Sequence, residues 1–529
     1  MKKLINIPIF LLALVFTNGC MDSESELKSE LLAGNAPEEG AQVTSGSADF
    51  SNFVAVGASY TAGYMDGAVY NAGQANSFPA IIANQMLAAG GGDFAQPDIN
   101  SADGYNTVAS DPANDIILGR FVLDAGAGAP TPIGPGDIAS ILTPYDGDLN
   151  NFGVPGARVV DLVSDLYGTP DVNGDGIPEG NPFYVRIASN PIGPGGSTVI
   201  GDAAAAEGTF FILDIGGNDA FGWALSGGTA PDVADDPAAI ANTSALTDAT
   251  NFGGALAATV AALRAGGAKG VIPNIPDVTF LPFFSLIPHL AIPLTDADQV
   301  AQLNAGFAGY NAALDGLVGS PFLPTQADAD LRKVSYSLGA NPILIADDDL
   351  VDLTAGFDFL LGLGAITTEQ RAALAPLVQA RPIQAGELTL ITAQTLLGAE
   401  IDGNPLAVRG VSVPLEDQYT LTSDELTVLR ARIDTFNDLI EAQAVAGEVG
   451  IVDLETFASN AAAAGGITVD GVTLGLSITP NDIFSTDFIH PNPRGYAGLA
   501  NEYIKAINSE FGATLKEVDV LDFPGVSLL

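Results

Sequence analysis

Apolar runs at wide intervals constrain the fold of this chain more than any other feature. Four of them are continuously apolar, and a shorter fifth lies around Leu149–Gly153; the four are Asn52–Ser59, Thr209–Gly216, Ala268–Pro276 and Val449–Glu455. Continuous apolar character, in place of alternation, is typical of strands in a parallel sheet that is covered on both faces. Amphipathic helical patterns separate the runs, at Phe78–Gly90, Asn251–Gly267, Thr422–Ala444 and Pro493–Asn508. This alternation predicts a three-layer α/β/α sandwich.

Three long segments do not fit that alternation. They are Met65–Asp148, Pro170–Ala206 and Ser320–Asp417, and we interpret them as insertions in one domain that spans residues 49–512 and precedes a C-terminal tail, 513–529. The 61 glycines and 33 prolines indicate that the folded domain has many long loops.

Acidic side chains dominate the charge of the chain. The 18 Lys and Arg residues face 63 Asp and Glu residues, for a formal charge of -45. Such a surface repels phosphate backbones, so nucleic acid is excluded as a partner.

The N-terminus carries the pattern of an export signal. Lys2 and Lys3 precede an apolar stretch, Ile5–Phe16, which is too short to span a bilayer comfortably. The single cysteine, Cys20, follows Gly19 and resembles the lipidated cysteine of bacterial lipoproteins, although Thr17 and Asn18 depart from the usual motif. The resemblance implies a signal peptide at 1–20, lipid on Cys20, a flexible acidic linker at 21–48 and anchoring to a bacterial outer membrane, with exposure at the cell surface. The alternative is an ordinary signal peptide with a stray cysteine.

Only two histidines are present, so each is informative. His490 lies three residues after Asp487, and residues at this spacing fall on the same side of a helical turn or tight loop. Asp487 can then accept from one ring nitrogen and leave the other nitrogen free as a base. The alternative is a surface histidine near the last helix. His289 lies in an apolar loop with no nearby carboxylate before Asp296, and we interpret it as a loop or lid residue.

The first apolar run ends in "GASYTAGY", Gly57–Tyr64, which resembles the first block of the SGNH (GDSL-type) hydrolases. Three further segments follow in the order of that family's blocks: "NNFGVPGARVVDL", "DIGGNDAFG" and "DFIH". No serine has the G-x-S-x-G spacing of an α/β-hydrolase. The resemblance covers about half of the chain and implies an SGNH fold with a flavodoxin-like parallel sheet and a serine ester hydrolase, of the carboxylesterase or lipase kind.

By that resemblance Ser59 is the nucleophile, His490 the general base and Asp487 the residue that orients it. The backbone N–H groups of Ser59 and Gly156 and the side-chain amide of Asn218 would form the oxyanion hole. The chain departs from the family at Ala58, where an acid usually precedes the serine, which puts the support of this loop in doubt. Catalysis would require no cofactor.

A second candidate site is "DVNGDGIPE", Asp171–Glu179. Asp171, Asn173 and Asp175 occupy positions 1, 3 and 5 of an EF-hand-like loop, Ile177 offers a carbonyl and Glu179 a carboxylate. The glutamate expected at position 12 is replaced by Pro182. The alternatives are a structural calcium site and a simple Asx/Gly turn loop.

The substrate is expected to be a small-molecule or lipid ester. If it is exposed, the apolar loop Phe280–Leu294 would form a wall that favours acyl chains, and otherwise it is a core segment. Two alternatives to a carboxylesterase remain: a non-catalytic surface lipoprotein that binds a ligand, and a polysaccharide O-acetylesterase. The oligomeric state is not determined by the sequence.

Overall fold

The computed structural model describes residues 43–529. Cys20, the predicted signal peptide at 1–20 and most of the predicted linker at 21–48 therefore lie outside the described residues. None of the helices within residues 43–529 is both long and apolar enough to cross a membrane.

The five apolar runs form one parallel sheet. Its strands are β1 (Phe53–Gly57), β2 (Asn151–Gly153), β3 (Phe210–Asp214), β4 (Lys269–Pro273) and β5 (Gly450–Val452). Their spatial order is β2-β1-β3-β4-β5, and every neighbouring pair is parallel. This order, 2-1-3-4-5, is that of the flavodoxin-like class of doubly wound sheets. The predicted parallel sheet of a mixed α/β fold is confirmed.

Helices lie around this sheet because its strands are apolar on both faces. The principal ones are α1 (Ser59–Ala62), α2 (Phe78–Met86), α3 (Val199–Ala205), α4 (Asn218–Leu225), α5 (Ala249–Arg264), α6 (Ser423–Gly447), α7 (Leu454–Ala464) and α8 (Pro493–Phe511). Phe78 of α2 stacks on Tyr503 of α8 with ring centroids 4.7 Å apart. Phe252 of α5 stacks on Phe436 of α6 at 3.9 Å. Aromatic side chains of this size bury much apolar area and stabilise the packing of each helix pair.

Capping residues fix the ends of the helices that follow the predicted patterns. Thr422 and Glu425 form a capping box at the start of α6, since the N–H of each residue donates to the side chain of the other. Asn492 caps α8, Pro493 occupies its first position, and Gly512 ends it with φ of 65°.

The chain divides into two compact units. The larger unit comprises residues 43–220, Thr247–Pro282 and Arg432–Leu529, and it contains the whole parallel sheet. The smaller unit comprises Phe221–Leu246 and Phe283–Ala431. The predicted insertion Ser320–Asp417 is therefore the central part of a larger compact body.

The smaller unit has a core of its own, which includes Tyr310, Leu314, Ile343 and Phe357. Its helices are Pro282–Ser285, at the boundary of the unit, and Ala297–Leu317, Gln326–Arg332, Thr354–Gly362 and Thr368–Ala373. Its strands form antiparallel pairs: Ile292–Leu294 with Gly339–Asn341, Leu344–Ala346 with Ala380–Pro382, Leu388–Thr389 with Thr420–Leu421, and Glu400–Ile401 with Asn404–Val408. The smaller unit extends beyond the predicted insertion Ser320–Asp417 because of this core. Tyr310 and Leu314 contribute to the core from a helix that precedes Ser320.

The other two predicted insertions belong to the larger unit and contain short elements. Besides α2 and α3, they hold the helices Asn71–Ala75, Ala139–Leu142 and Pro182–Val185, and the antiparallel pair Phe121–Asp124 and Ala129–Pro132. A second hairpin, Gly466–Val469 with Val472–Gly475, precedes α8.

The segments at both described ends pack on the larger unit. In the predicted tail, Leu515 and Val520 are buried and Leu515 N–H donates to Asn508. At the other end, Ser47 N–H donates to the carbonyl of Phe511 at 2.7 Å. Residues at the end of the predicted linker and in the predicted tail are thus held by the fold.

Candidate active site

The carboxyl ends of β1, β2 and β3 lie side by side. Gly57 is aligned with Gly153 on one side and with Asp214 on the other. The chain leaving β2 is held to β1, because Val154 N–H donates to the carbonyl of Gly57 at 2.9 Å. The first three predicted blocks therefore start from one edge of the sheet, which is where ligands bind in open α/β folds.

β1 ends at Gly57, and there is no room for a side chain at this position. A Cβ atom there would lie 2.2 Å from Thr61 Oγ1 and 2.4 Å from the carbonyl oxygen of Asp214. The backbone can thus turn directly from the strand into α1, whose first residue is Ser59. The half-buried Ser59 is placed at the strand end and at the start of a short helix.

Ser59, His490 and Asp487 form a hydrogen-bonded chain. Ser59 Oγ lies 2.9 Å from His490 Nε2, and His490 Nδ1 lies 2.9 Å from Asp487 Oδ2. The carboxylate acceptor selects the tautomer with hydrogen on Nδ1, so Nε2 can accept the hydroxyl proton of Ser59. The side chains of His490 and Asp487 are 12% and 5% exposed, which leaves the imidazole within reach of a ligand and shields the carboxylate.

Several donors surround the Asp487 carboxylate. Asp487 Oδ1 accepts from the N–H groups of Ile489 and His490, and Oδ2 accepts from the N–H of Gly67 at 3.0 Å. Burial alone would raise the pKa of Asp487, but the charge of His490 and these hydrogen bonds outweigh it and hold the pKa of Asp487 below its ordinary value. The carboxylate is therefore ionised at neutral pH and available as an acceptor.

Two tyrosines pack against the imidazole of His490. The ring centroids of Tyr64 and His490 are 4.7 Å apart, and those of Tyr60 and His490 are 5.5 Å apart with the rings edge to face. Tyr60 Oη donates to the carbonyl of Ile489 at 3.0 Å. Burial raises the pKa of both phenols above their ordinary value, so they stay neutral beside the imidazole. These contacts fix the plane of the ring.

The predicted oxyanion residues Gly156 and Asn218 lie close to each other. Gly156 has φ of +83°, a conformation that glycine adopts without strain. Asn218 Nδ2 donates to the carbonyl of Ala157, the next residue, at 2.9 Å. An amide nitrogen carries two hydrogens, so a second donor remains on Asn218. Within residues 43–529, the backbone N–H groups of Ser59 and Gly156 have no acceptor in the protein. Donors of this kind are able to bind an oxygen atom of a ligand.

Asp214 supports the turn that carries Ser59, where Ala58 departs from the predicted block. Ala58 N–H donates to the carbonyl of Asp214 at 3.2 Å, and Thr61 Oγ1 donates to Asp214 Oδ2 at 3.3 Å. Burial raises the pKa of Asp214 to about 6. The support that sequence reasoning left in doubt thus comes from the neighbouring strand.

Asp219, the residue after Asn218, connects the second and third blocks. It is fully buried, and its Oδ2 accepts from the N–H of Val159 at 2.8 Å. Burial raises the pKa of Asp219 to about 7. We infer a structural role for Asp219, which holds the loop of Gly156 beside Asn218.

In the predicted calcium loop the acidic side chains accept hydrogen bonds from the loop itself. Asp171 accepts from the N–H groups of Gly174 and Gly176, and Glu179 accepts from those of Val172 and Asn173. The N–H of Ile177 donates to Asp175 at 2.9 Å. The bond from Ile177 to Asp175, two residues earlier, is that of an Asx turn. Calcium binding by this loop stays a prediction.

A different acidic group, in the smaller unit, has carboxylate oxygens that all lie within 4.8 Å of one another: Asp348, Asp417 and Glu425. Burial and neighbouring carboxylates raise the pKa of Asp417 to about 7 and that of Glu425 to about 8. Oxygen ligands of this kind suit a divalent cation. The same raised pKa values let the group retain protons near neutrality.

The apolar loop Phe280–Leu294 is only partly exposed. Its early residues Leu281, Phe283 and Phe284 are buried, whereas Leu286 and Leu290 are exposed by 39% and 42%. Phe284 packs edge to face on Phe221 with centroids 6.0 Å apart. Of the three phenylalanines in the loop, Phe283 and Phe284 are thus buried, and Phe280 is half-buried. His289 belongs to the smaller unit, and its carbonyl accepts from the N–H of Ile343.

Sequence reasoning missed the residues that hold the histidine and the aspartate. Tyr60 and Tyr64 lie within the first block, and Ser485 and Thr486 immediately precede Asp487. Their positions in or beside the blocks could have indicated them, but no sequence pattern shows which side chains face the imidazole.

Searches of protein-family models, of curated proteins and of solved structures find no match for this chain. The geometry of the residues themselves is therefore the basis on which a function is inferred.

Proposed function

We propose that this chain is a serine ester hydrolase of the SGNH type. The observation that carries the proposal is the chain of two 2.9 Å hydrogen bonds from Ser59 Oγ through His490 to Asp487. The parallel sheet with the order 2-1-3-4-5 and the placement of the four blocks support the three-layer sandwich that this family has.

In the proposed reaction, Ser59 Oγ attacks the carbonyl carbon of an ester while His490 Nε2 takes the hydroxyl proton. The imidazolium then gives this proton to the leaving alkoxide, and an acyl-enzyme remains on Ser59. Water, deprotonated by the same imidazole, attacks the acyl carbon. The bond from this carbon to Ser59 Oγ then breaks, the imidazolium returns its proton to Ser59 Oγ, and the acid leaves. Asp487 stays ionised throughout. Its carboxylate accepts from the N–H of Nδ1 and stabilises the positively charged ring.

The tetrahedral intermediate carries a negative oxygen that needs fixed donors. The N–H groups of Ser59 and Gly156 and the second N–H of Asn218 supply them in this proposal. Asn218 is neutral and already held by Ala157, so its amide needs little reorganisation as charge develops.

The substrate class is less constrained than the reaction. Because Phe283 and Phe284 are buried, the argument for a long acyl chain loses part of its support. A carboxylesterase that acts on simple or lipid esters and a polysaccharide O-acetylesterase share this chemistry and differ in the acyl group. A non-catalytic binding role would leave the aligned Ser59 and His490 without a purpose.

The test is hydrolysis of p-nitrophenyl esters of increasing acyl length by the parent protein and by Asn218→Ala. We expect the parent to hydrolyse the acetate ester above the buffer rate, and we expect kcat of the variant to fall by about 10²–10³-fold, as for loss of one oxyanion donor. A maximum at acetate would favour the O-acetylesterase, and a maximum at long chains the lipase-like enzyme. A parent protein that hydrolyses none of the series would favour the binding role.

For the location of the enzyme we propose export and lipid anchoring to the outer membrane through Cys20. The support is the position of the only cysteine of the chain, directly after Gly19 at the end of the apolar N-terminal stretch.

A further inference from the structure

A buried carboxylate behind the proposed triad has no role in the chemistry described above. Asp66 is 4% exposed and lies in a tight turn in which Met65 and Ala68 exchange backbone hydrogen bonds. Its φ is +56°, a left-handed conformation that is uncommon outside glycine, asparagine and aspartate. A residue in this conformation persists only where its surroundings hold it.

The side chain of Asp66 binds the residue next to Asp487. Asp66 Oδ1 accepts from both the N–H and the hydroxyl of Thr486, at 3.0 and 2.6 Å, and Asp66 Oδ2 accepts from Tyr70 Oη at 2.7 Å. All these groups are buried, so none of the bonds competes with bulk water.

The backbone of the same turn reaches Asp487 itself. The N–H of Asp66 donates to Ser485 Oγ, and this hydroxyl donates to Asp487 Oδ1, both at 3.0 Å. The N–H of Gly67 donates to Asp487 Oδ2. The carboxylate that orients His490 is therefore held on both oxygens by a turn about 420 residues away in the chain.

We propose that Asp66 is a positioning residue that fixes the Asp487 carboxylate, and through it the imidazole of His490, by binding Thr486 and presenting the backbone of its turn to Ser485 and Asp487. The inference rests on the proposed function for its catalytic consequence. A single short segment, Ser59–Gly67, would then carry the nucleophile, pack on the base and align the acid.

The test variant is Asp66→Gly, because glycine accepts the positive φ and the change removes the side chain that binds Thr486 and Tyr70. Asp66→Asn is the conservative variant, since its amide oxygen can still accept from Thr486. Asp482→Gly is a matched control: Asp482 Oδ2 also accepts from the N–H and hydroxyl of a threonine, Thr479, at 3.0 and 2.6 Å, without contact to Asp487.

We expect Asp66→Gly to lower kcat for a p-nitrophenyl ester by about 10–100-fold with KM unchanged, as for loss of a residue that orients a catalytic group. Asp66→Asn should restore most of kcat, and Asp482→Gly should retain the parental value. Ser485→Ala removes the hydroxyl that connects the N–H of Asp66 to Asp487 Oδ1, and it is expected to lower kcat in the same way. This variant provides the test if Asp66→Gly does not fold.

A second readout does not depend on turnover. The chain has two histidines, so the far-downfield proton of a His490 Nδ1–H bonded to a carboxylate is readily assigned by NMR. We expect this resonance in the parent and in Asp482→Gly, and its loss by exchange broadening in Asp66→Gly. A folded Asp66→Gly with parental kcat and an unchanged resonance overturns the inference. If the parent protein hydrolyses no ester, the proposed function fails. The NMR resonance of His490 still tests in that case whether Asp66 positions the Asp487 carboxylate.

Discussion

Ser59→Ala is expected to abolish ester hydrolysis, with kcat reduced by about 10⁴-fold or more. The change removes only the hydroxyl group, whose oxygen forms the covalent bond to the acyl group in the proposed reaction. His490 Nε2 lies 2.9 Å from this hydroxyl, so the alanine variant leaves a base without a nucleophile. The measurement is the initial rate of p-nitrophenyl acetate hydrolysis at saturating substrate.

Ser51→Ala is the matched control for this variant. Ser51 lies two residues before β1 and is exposed, whereas Ser59 lies two residues after the same strand. We expect parental activity for Ser51→Ala and parental melting temperatures for both variants. Parental turnover by a correctly folded Ser59→Ala would remove Ser59 from the mechanism.

Asp487→Asn is expected to reduce kcat by about 10⁴-fold while KM changes little. An amide N–H in place of the carboxylate would donate to Nδ1 of His490 and move the ring hydrogen to Nε2, which then could not accept the serine proton. The loss should be read in the same assay, with the fold checked by circular dichroism. Asp482→Asn, a charge loss in the same loop, should stay near the parent. Equal activity of Asp487→Asn and the parent would show that His490 needs no carboxylate partner.

The sheet was predictable from the sequence because its signal is local. A run such as Phe53–Gly57 is apolar at every position, which is typical of a strand that is covered on both faces. The end of the strand was less clear. The predicted run continued to Ser59, whereas the strand ends at Gly57, because Ala58 has left the extended conformation and α1 follows.

The extent of the smaller unit and the burial of the Phe280–Leu294 loop were not predictable in this way. Phe284 is apolar whether it lines a binding wall or packs on Phe221, and the sequence pattern is the same in both cases. Only the three-dimensional packing of segments far apart in the chain distinguishes the two.

The grouping of Ser59, His490 and Asp487 was predicted from the blocks, and the residues that hold them in place were not. The pairing of Asp487 with His490 is local, three residues apart, and leaves a visible motif. The contact of Asp66 with Thr486 joins positions 420 residues apart, and a lone Asp-Gly turn gives no indication of its partner. The support of the turn at Ala58 by Asp214 likewise depends on the register of two strands.

Mass spectrometry of the protein after reaction with a fluorophosphonate ester reagent most directly tests the central claim. The phosphonyl group mimics the tetrahedral intermediate and attaches only to a serine that a base activates. We predict one adduct per chain, located on Ser59 in the peptide map, and no adduct in His490→Ala. Absence of an adduct on Ser59 in the folded parent protein, or labelling of Ser59 that persists in His490→Ala, would contradict the account.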